Sequence, residues 1–258
     1  MKLNKFWASI ALFGIAAMAN ASDGVFDRTA EVDKYVELMK SGDRGQLVLV
    51  SREIYGSGIS DARLANAIYE RLYRDRKQLD GTRVDTQYGV FMVKALASTG
   101  MASTKEQLKA VRSGMTNNKV NSASASEVKL VDWHLKRDTV MASTANHHEG
   151  DDPNVSRLIN LIKTGDSSFQ HWAVERMNWD KVLDDRLMQV IAVEVQAYVD
   201  RGGGKLSSEA DDTMASFVKL LGYSKNVKYR PLLISVSKLQ NISPGVKRHA
   251  KYAMDKLY

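Results

Sequence analysis

Apolar residues recur along most of this sequence at the spacing of an α-helix, and few helix breakers interrupt them. Between Ser60 and Gln78, for example, one apolar stripe runs beside a row of arginines. The chain has three prolines in 258 residues, and each stands where the first turn of a helix accepts it: Pro153, Pro231 and Pro244. The spacing therefore predicts an all-α fold, and no alternating pattern indicates a β-strand.

The apolar pattern predicts twelve short helices. They cover residues 31–41, 44–55, 61–78, 86–99, 104–115, 125–142, 154–164, 167–178, 181–200, 208–222, 230–240 and 244–257. Four glycines follow apolar runs and predict helix ends: Gly42, Gly100, Gly165 and Gly222. Paired in order, twelve helices form six hairpins.

The second half of the chain matches the first when the sequence is shifted along itself. At an offset of 123 residues, Leu38, Lys40, Gly42, Asp43, Asp61, Arg63, Leu64 and Ile68 meet Leu161, Lys163, Gly165, Asp166, Asp184, Arg186, Leu187 and Ile191. At an offset of 125, Val93, Lys94, Leu96, Leu108 and Val111 meet Val218, Lys219, Leu221, Leu233 and Val236. We interpret the halves as diverged copies of one unit of about 120 residues. Coincidence between two amphipathic stretches is the alternative.

Stacked antiparallel helix pairs of roughly 40 residues resemble HEAT or armadillo-like repeats. The local resemblance is strongest in segments 228–239 and 246–257, whose small and aliphatic residues resemble the inner faces of a HEAT hairpin. The resemblance implies an α-α superhelix of about six helical hairpins, with a long concave face on which other macromolecules are held. Other families of α-α superhelix are alternatives to these two.

The N-terminus has the three parts of a secretory signal peptide. Lys2 and Lys5 precede an apolar run over residues 6–18, and Ala19-Asn20-Ala21 forms an A-x-A cleavage site. The run is shorter than the roughly 20 residues that a membrane-spanning helix needs, although an uncleaved anchor is the alternative. Because the chain has no cysteine, it cannot be a lipoprotein. We expect a mature chain that starts at Ser22 and is periplasmic, or secreted in an organism with one membrane.

The predicted organisation has four parts. Residues 1–21 are the signal peptide, 22–142 are an N-terminal helical-repeat half, 143–153 are a linker, and 154–258 are a C-terminal half with a basic end. The linker is polar and rich in turn formers. If the halves stack continuously it is a surface loop, and otherwise it separates two lobes.

Positive charge is concentrated at the C-terminus. Residues 219–258 hold nine basic residues and one acidic residue. An exposed cationic face attracts anionic partners and is weakened by salt. The candidate binding residues of this basic end are Lys228, Arg230, Lys247, Arg248 and Lys251. The alternative is a solvated helix pair whose charge only aids solubility.

Residue types that carry chemistry are present, but their spacing favours structural roles. A cluster in the linker contains possible metal ligands, namely His147, His148, Glu149, Asp151 and Asp152. Neighbours in a loop seldom converge on one ion, so we interpret the cluster as a solvated loop. Two acid pairs, Asp184-Asp185 and Asp211-Asp212, fall in predicted first turns, where the helix dipole favours carboxylates. The sequence therefore predicts no catalytic residues, no metal site and no cofactor.

Aromatic residues at helical spacing either line a ligand groove or fill the core, and we favour the core. They are Trp133, Trp172, Trp179, Tyr69, Tyr73, Tyr198 and Tyr252.

Three functions fit these observations. The first is a non-enzymatic scaffold or adaptor of the cell envelope that binds protein partners through the helical-repeat surface, with the basic end as one contact. Anionic envelope surfaces are further partners, whereas nucleic acid is a poor partner in this compartment. The second is a glycan-directed hydrolase or lyase with a site in the groove between the halves, which would need two facing acids. The third is a small-molecule or lipid carrier.

Overall fold

The computed structural model describes residues 24–79 and 82–257, and this part of the chain is all-α. The predicted signal peptide lies outside the described residues. Within them the thirteen α-helices are α1 (Thr29–Ser41), α2 (Arg44–Ser57), α3 (Ala62–Asp75), α4 (Arg83–Ser98), α5 (Thr104–Arg112), α6 (Asn118–Glu127), α7 (Val131–Ala142), α8 (Pro153–Lys163), α9 (Ser167–Asp180), α10 (Asp185–Asp200), α11 (Ser208–Tyr223), α12 (Arg230–Lys238) and α13 (Pro244–Asp255). None of these helices is long and apolar enough to cross a membrane.

The predicted helices agree with the observed ones except in one segment. The single helix predicted over 125–142 is wrong, because the chain forms α6 and α7 there with a turn at residues 128–130. Helix α6 begins earlier than predicted because the side chain of Asn117 accepts hydrogen bonds from the backbone N–H groups of Lys119 and Val120.

Aspartate side chains begin five of the described helices, including α8, which Asp152 caps. Asp43 caps α2 and Asp166 caps α9, while Asp61 caps α3 and Asp184 caps α10. Each carboxylate accepts backbone N–H groups of the first helical turn, which otherwise have no partner. The sequence positions that matched at an offset of 123 residues therefore include helix starts as well as apolar positions.

Neighbouring helix pairs pack on one another along the chain. Helix α2 packs against α4 and α4 against α6, and later in the chain α9 packs against α11 and α11 against α13. This packing is compatible with an α-α superhelix. The resemblance to a named repeat and the boundaries of the two halves stay predictions.

The buried apolar side chains form two clusters. One extends from Val32 to Val131 and the other from Met141 to Leu257. Helix α7 starts in the first cluster and ends in the second, and it packs against both α4 and α8. Groups on α7 are therefore positioned to connect the two clusters.

The first described residues of the chain lie against the loop that follows α7. The backbone N–H of Phe26 donates to the carbonyl of Ala142, and the N–H of Thr144 donates to the carbonyl of Gly24. The ring of Phe26 meets the imidazole of His147 edge to face, with 4.9 Å between centroids. The N-terminal segment thereby fixes one side of the predicted linker.

Gly222 is not the helix end that the sequence predicted. Gly100 and Gly165 do follow helix ends in the left-handed conformation, with φ of 61° and 71°, but Gly222 lies inside α11. A Cβ at Gly222 would lie 2.5 Å from the Cβ of Ala253 on α13. Its role is to let α11 and α13 pack closely.

We expect Gly222→Ala to lower the free energy of unfolding by about 1–3 kcal/mol, because the added methyl group must push α13 away from α11. Gly245→Ala is the matched control, since Gly245 lies on α13 and a Cβ there meets its neighbours only at ordinary contact distance. Urea denaturation of both variants measures the difference. Equal stabilities would contradict the close-packing role of Gly222.

Candidate functional site

A buried arginine on α7 joins the two apolar clusters. Arg137 is fully buried, and its guanidinium donates to Oδ1 of Asp138 from Nη2 at 2.6 Å and from Nε at 2.8 Å. It also donates to the backbone carbonyls of Tyr55 and Ser98, both at 3.3 Å. These carbonyls lie in the last turns of α2 and α4. A cation there satisfies carbonyls that lack helical partners and opposes the negative end of each helix dipole.

The same guanidinium lies over two aromatic rings, one of which is on α9 in the second half of the chain. Its Cζ is 4.7 Å from the ring centroid of Trp172 on α9 and 5.6 Å from that of Trp133 on α7. Trp133 is held in turn by a hydrogen bond from its indole N–H to the hydroxyl of Ser168. Arg137 therefore connects α2 and α4 to α9 through one buried group.

A second buried polar pair lies next to Arg137. His134 Nε2 is 3.4 Å from Oε2 of Glu127, and the imidazole meets the ring of Tyr55 edge to face with 5.7 Å between centroids. Burial lowers the pKa of His134 and raises the pKa of the Tyr55 hydroxyl. Both groups are therefore held in their neutral forms near neutral pH.

The three helices joined by Arg137 also line a groove. Its volume is about 710 Å³, within the range of ligand sites. The residues that line it are Arg52 and Tyr55 of α2, Phe91 and Lys94 of α4, Trp172, Glu175, Arg176, Asn178 and Trp179 of α9, and Lys181 just after α9. We call this set the inter-half groove, because its residues come from both predicted halves of the sequence.

Arg52 is held between two aromatic rings at the inter-half groove. Its Cζ lies 4.6 Å from the ring centroid of Phe91 and 4.9 Å from that of Trp179. The Nε atom of Arg52 is buried and has no hydrogen-bond partner in the described part of the chain. Trp179 remains 61% exposed although it is the larger of the two rings. A guanidinium and an open indole thus stand together at this surface.

Arg176 crosses the groove from α9 to the end of α2. A Cβ at Gly56 would overlap the guanidinium of Arg176, so the glycine is what lets this side chain lie on the backbone of α2. The same guanidinium donates to Oδ2 of Asp180 at 2.7 Å. Arg176 is therefore fixed in position before any ligand arrives.

The groove lining is strongly cationic. It contains two arginines and two lysines, against one carboxylate from Glu175. Asp180 neutralises part of the charge of Arg176. The remaining positive charge lies among aromatic rings, where the potential is screened less than on an open surface.

The predicted basic end lies elsewhere on the molecule. Lys247, Arg248 and Lys251 are exposed on α13, and within the described chain no acidic side chain forms an ion pair with them. Lys228 lies over the ring of Tyr229 at 4.9 Å, and Arg230 is the first residue of α12. None of these five residues lines the inter-half groove.

Three of the possible metal ligands of the linker have contacts with neighbouring helices or begin one. His147 Nδ1 lies 3.1 Å from the hydroxyl of Ser156, Asp151 pairs with Arg186, and Asp152 caps α8. Across residues 24–79 and 82–257, no three histidine or carboxylate side chains converge to hold a metal ion. Of the predicted acid pairs, Asp184 caps α10 and Asp185 and Asp211 lie in first turns, whereas Asp212 lies just beyond the first turn of α11.

The core interpretation of the aromatic residues is wrong for three of them, because Tyr73 and Tyr252 are exposed outside the groove and Trp179 is exposed within it. Trp172 and Tyr198 are buried as the core interpretation predicts. Sequence reasoning missed the other groove residues. A signal was present, because Trp172, Glu175, Arg176 and Trp179 fall at positions i, i+3, i+4 and i+7 of one helix face.

Comparisons with family models, with curated proteins and with solved structures find no match to this chain. The functional argument therefore depends on the geometry of the groove and of the basic end.

The buried carboxyl of Asp138 makes stability depend on pH. Burial raises its pKa from near 3.8 to about 6, although Arg137 opposes the rise. Between these values the folded chain keeps a proton that the unfolded chain has released, so this contribution to stability is lost as pH rises. We expect wild type to lose up to about 3 kcal/mol relative to Asp138→Asn between pH 4 and pH 7.

Urea denaturation of both proteins across this pH range measures the difference. The lowered pKa of His134 makes stability rise with pH, which is opposite to the effect of Asp138. Because wild type and variant share this effect, the difference between them isolates Asp138. A difference in stability that does not change with pH would contradict the raised pKa of Asp138.

Proposed function

We propose that this protein is a non-enzymatic adaptor of the cell envelope that binds protein partners on a helical-repeat surface. The observation that carries the proposal is the inter-half groove, where Arg52 lies between Phe91 and an exposed Trp179. Tryptophan, tyrosine and arginine are the residues in which the binding energy of protein interfaces is concentrated. In this groove Arg52 and Trp179 are already in contact before a partner binds. Less conformational entropy is therefore lost on association.

We infer that the two halves are diverged copies of one unit of about 120 residues, which together form an α-α superhelix. Equivalent helix starts support this inference, since Asp43 and Asp166 cap α2 and α9, and Asp61 and Asp184 cap α3 and α10. Equivalent packing supports it too, because α2 meets α4 as α9 meets α11. Helices α2 and α9 are then matching elements, and the groove lies between them.

The basic end is the second contact of the proposal. Its exposed cations on α13 attract an anionic partner surface and raise the rate of encounter. Solvent-exposed charges contribute little affinity each and are screened by salt. The basic end therefore assists binding, and the groove provides most of the affinity.

The groove fits a binding role better than a glycosidase role. Hydrolysis of a glycosidic bond uses two carboxyl groups that face the same bond, and Glu175 is the single carboxylate in the groove lining. A carrier for apolar molecules would enclose its ligand among apolar side chains. Here the lining contains four cationic side chains.

We further propose that the protein acts in the periplasm, or outside a cell with one membrane. The signal-peptide pattern of the N-terminus supports this location.

The adaptor proposal predicts that a photo-crosslinking amino acid at Lys181, on the rim of the groove, captures one dominant envelope protein in cells. The same amino acid at Val84, which is 60% exposed on α4 and outside the groove lining, is the control. Mass spectrometry of the crosslinked bands identifies the partner. Identical faint bands from both positions would contradict a protein-binding groove.

The basic end is tested in the same cells. We expect Arg248→Glu with Lys251→Glu to reduce recovery of the Lys181 crosslink several-fold at low salt, because the long-range attraction is reversed. The matched control is Lys119→Glu with Lys129→Glu, two exposed lysines outside the basic end. Unchanged recovery would show that the basic end does not contribute to binding.

A further inference from the structure

The inter-half groove has two properties that together specify the chemistry of its ligand. One is an excess of cations that its own acids do not neutralise, and the other is a large exposed aromatic surface beside them. We infer that the groove binds an acidic segment of a partner protein that also carries an aromatic side chain. This inference rests on the proposed function and names the part of the partner that is recognised.

The cations surround the groove rather than forming one patch. Arg52 comes from α2, Lys94 from α4, and Arg176 from α9. Lys94 Nζ lies 5.5 Å from the ring centroid of Tyr55, which adds a weak favourable contact but no neutralising charge. A ligand with several carboxylates along an extended chain would meet cations on each wall.

Arg52 is the most specific of these cations. The rings of Phe91 and Trp179 restrict its guanidinium, and its buried Nε has no hydrogen-bond partner in the described chain. The forked donors of a guanidinium match the two oxygens of a carboxylate. Because the rings already hold Arg52, binding a carboxylate costs little side-chain entropy.

The aromatic surface explains why an acidic side chain alone is not sufficient. Trp179 exposes 61% of its surface beside Arg52, and burying that apolar area would add the hydrophobic contribution that cations cannot provide. An aromatic side chain of the ligand can cover the indole by offset or edge-to-face stacking.

A polypeptide fits this lining better than an acidic glycan or a polyphosphate. Sites for sugars depend on many directional hydrogen bonds, and the amide and carboxylate side chains of the lining are only Asn178 and Glu175. A polyphosphate would bind the cations without using the open face of Trp179. Alternating acidic and aromatic side chains use both.

The test is a fluorescence-anisotropy titration of the full mature chain with a fluorescein-labelled peptide in which glutamate and tryptophan alternate. We expect saturable binding that weakens with salt. Replacing the peptide's tryptophans by alanine, or its glutamates by glutamine, is expected to weaken binding about tenfold or more.

Variants of the protein locate the binding. Trp179→Ala and Arg52→Ala are each expected to weaken binding about tenfold, while Lys119→Ala, at an exposed position outside the groove, leaves it unchanged. Trp179 is mostly exposed, so its variant stays folded even if Arg52→Ala perturbs the α2 surface. Circular dichroism and thermal melting confirm folding before each titration.

Some outcomes would overturn the inference. They are equal binding of the peptide by wild type and Trp179→Ala, or tighter binding of polyphosphate or oligogalacturonate than of the peptide. The peptide could also fail to bind while crosslinking from Lys181 still captures a partner. That result would reject the proposed ligand chemistry but not the adaptor proposal. Loss of both signals would reject both.

Discussion

Arg137 and Asp138 form an ion pair in the interior of the molecule, and the arrangement of the two apolar clusters depends on it. Burying a charged group is costly unless it is paired and its N–H groups form hydrogen bonds. The guanidinium of Arg137 donates to the carboxylate of Asp138 and to the backbone carbonyls of Tyr55 and Ser98. Removing one partner of such a pair costs about 3–5 kcal/mol. The pair therefore favours one arrangement of the helices that it touches over looser ones.

The same contacts determine the shape of the candidate site. Tyr55 and Trp172 both touch Arg137 and line the inter-half groove, and Ser98 ends the helix that contributes Phe91 and Lys94. The side chains that contact Arg137 on one side therefore line the groove on the other. A groove held in this way keeps its aromatic and cationic groups in position without a ligand, which is the condition for tight and specific binding.

Much of the fold could be predicted from the sequence, because helix starts and apolar stripes are local signals. The predicted starts at residues 44 and 167, for example, agree with the observed starts of α2 and α9. The turn at residues 128–130 carries no proline or glycine, so the division between α6 and α7 could not be seen. The groove was missed for another reason. Arg52 and Trp179 are 127 positions apart, and only tertiary packing brings them together.

The most direct test of the account measures the distance between the two clusters. Because the chain has no cysteine, spin labels can be attached at Lys119→Cys on α6 and Val193→Cys on α10, both exposed. Pulsed electron resonance should give one narrow distance distribution in the otherwise wild-type protein and a broad one when Arg137→Met is added. An equally narrow distribution at the same distance in the folded Arg137→Met protein would show that the buried arginine does not hold the two clusters together.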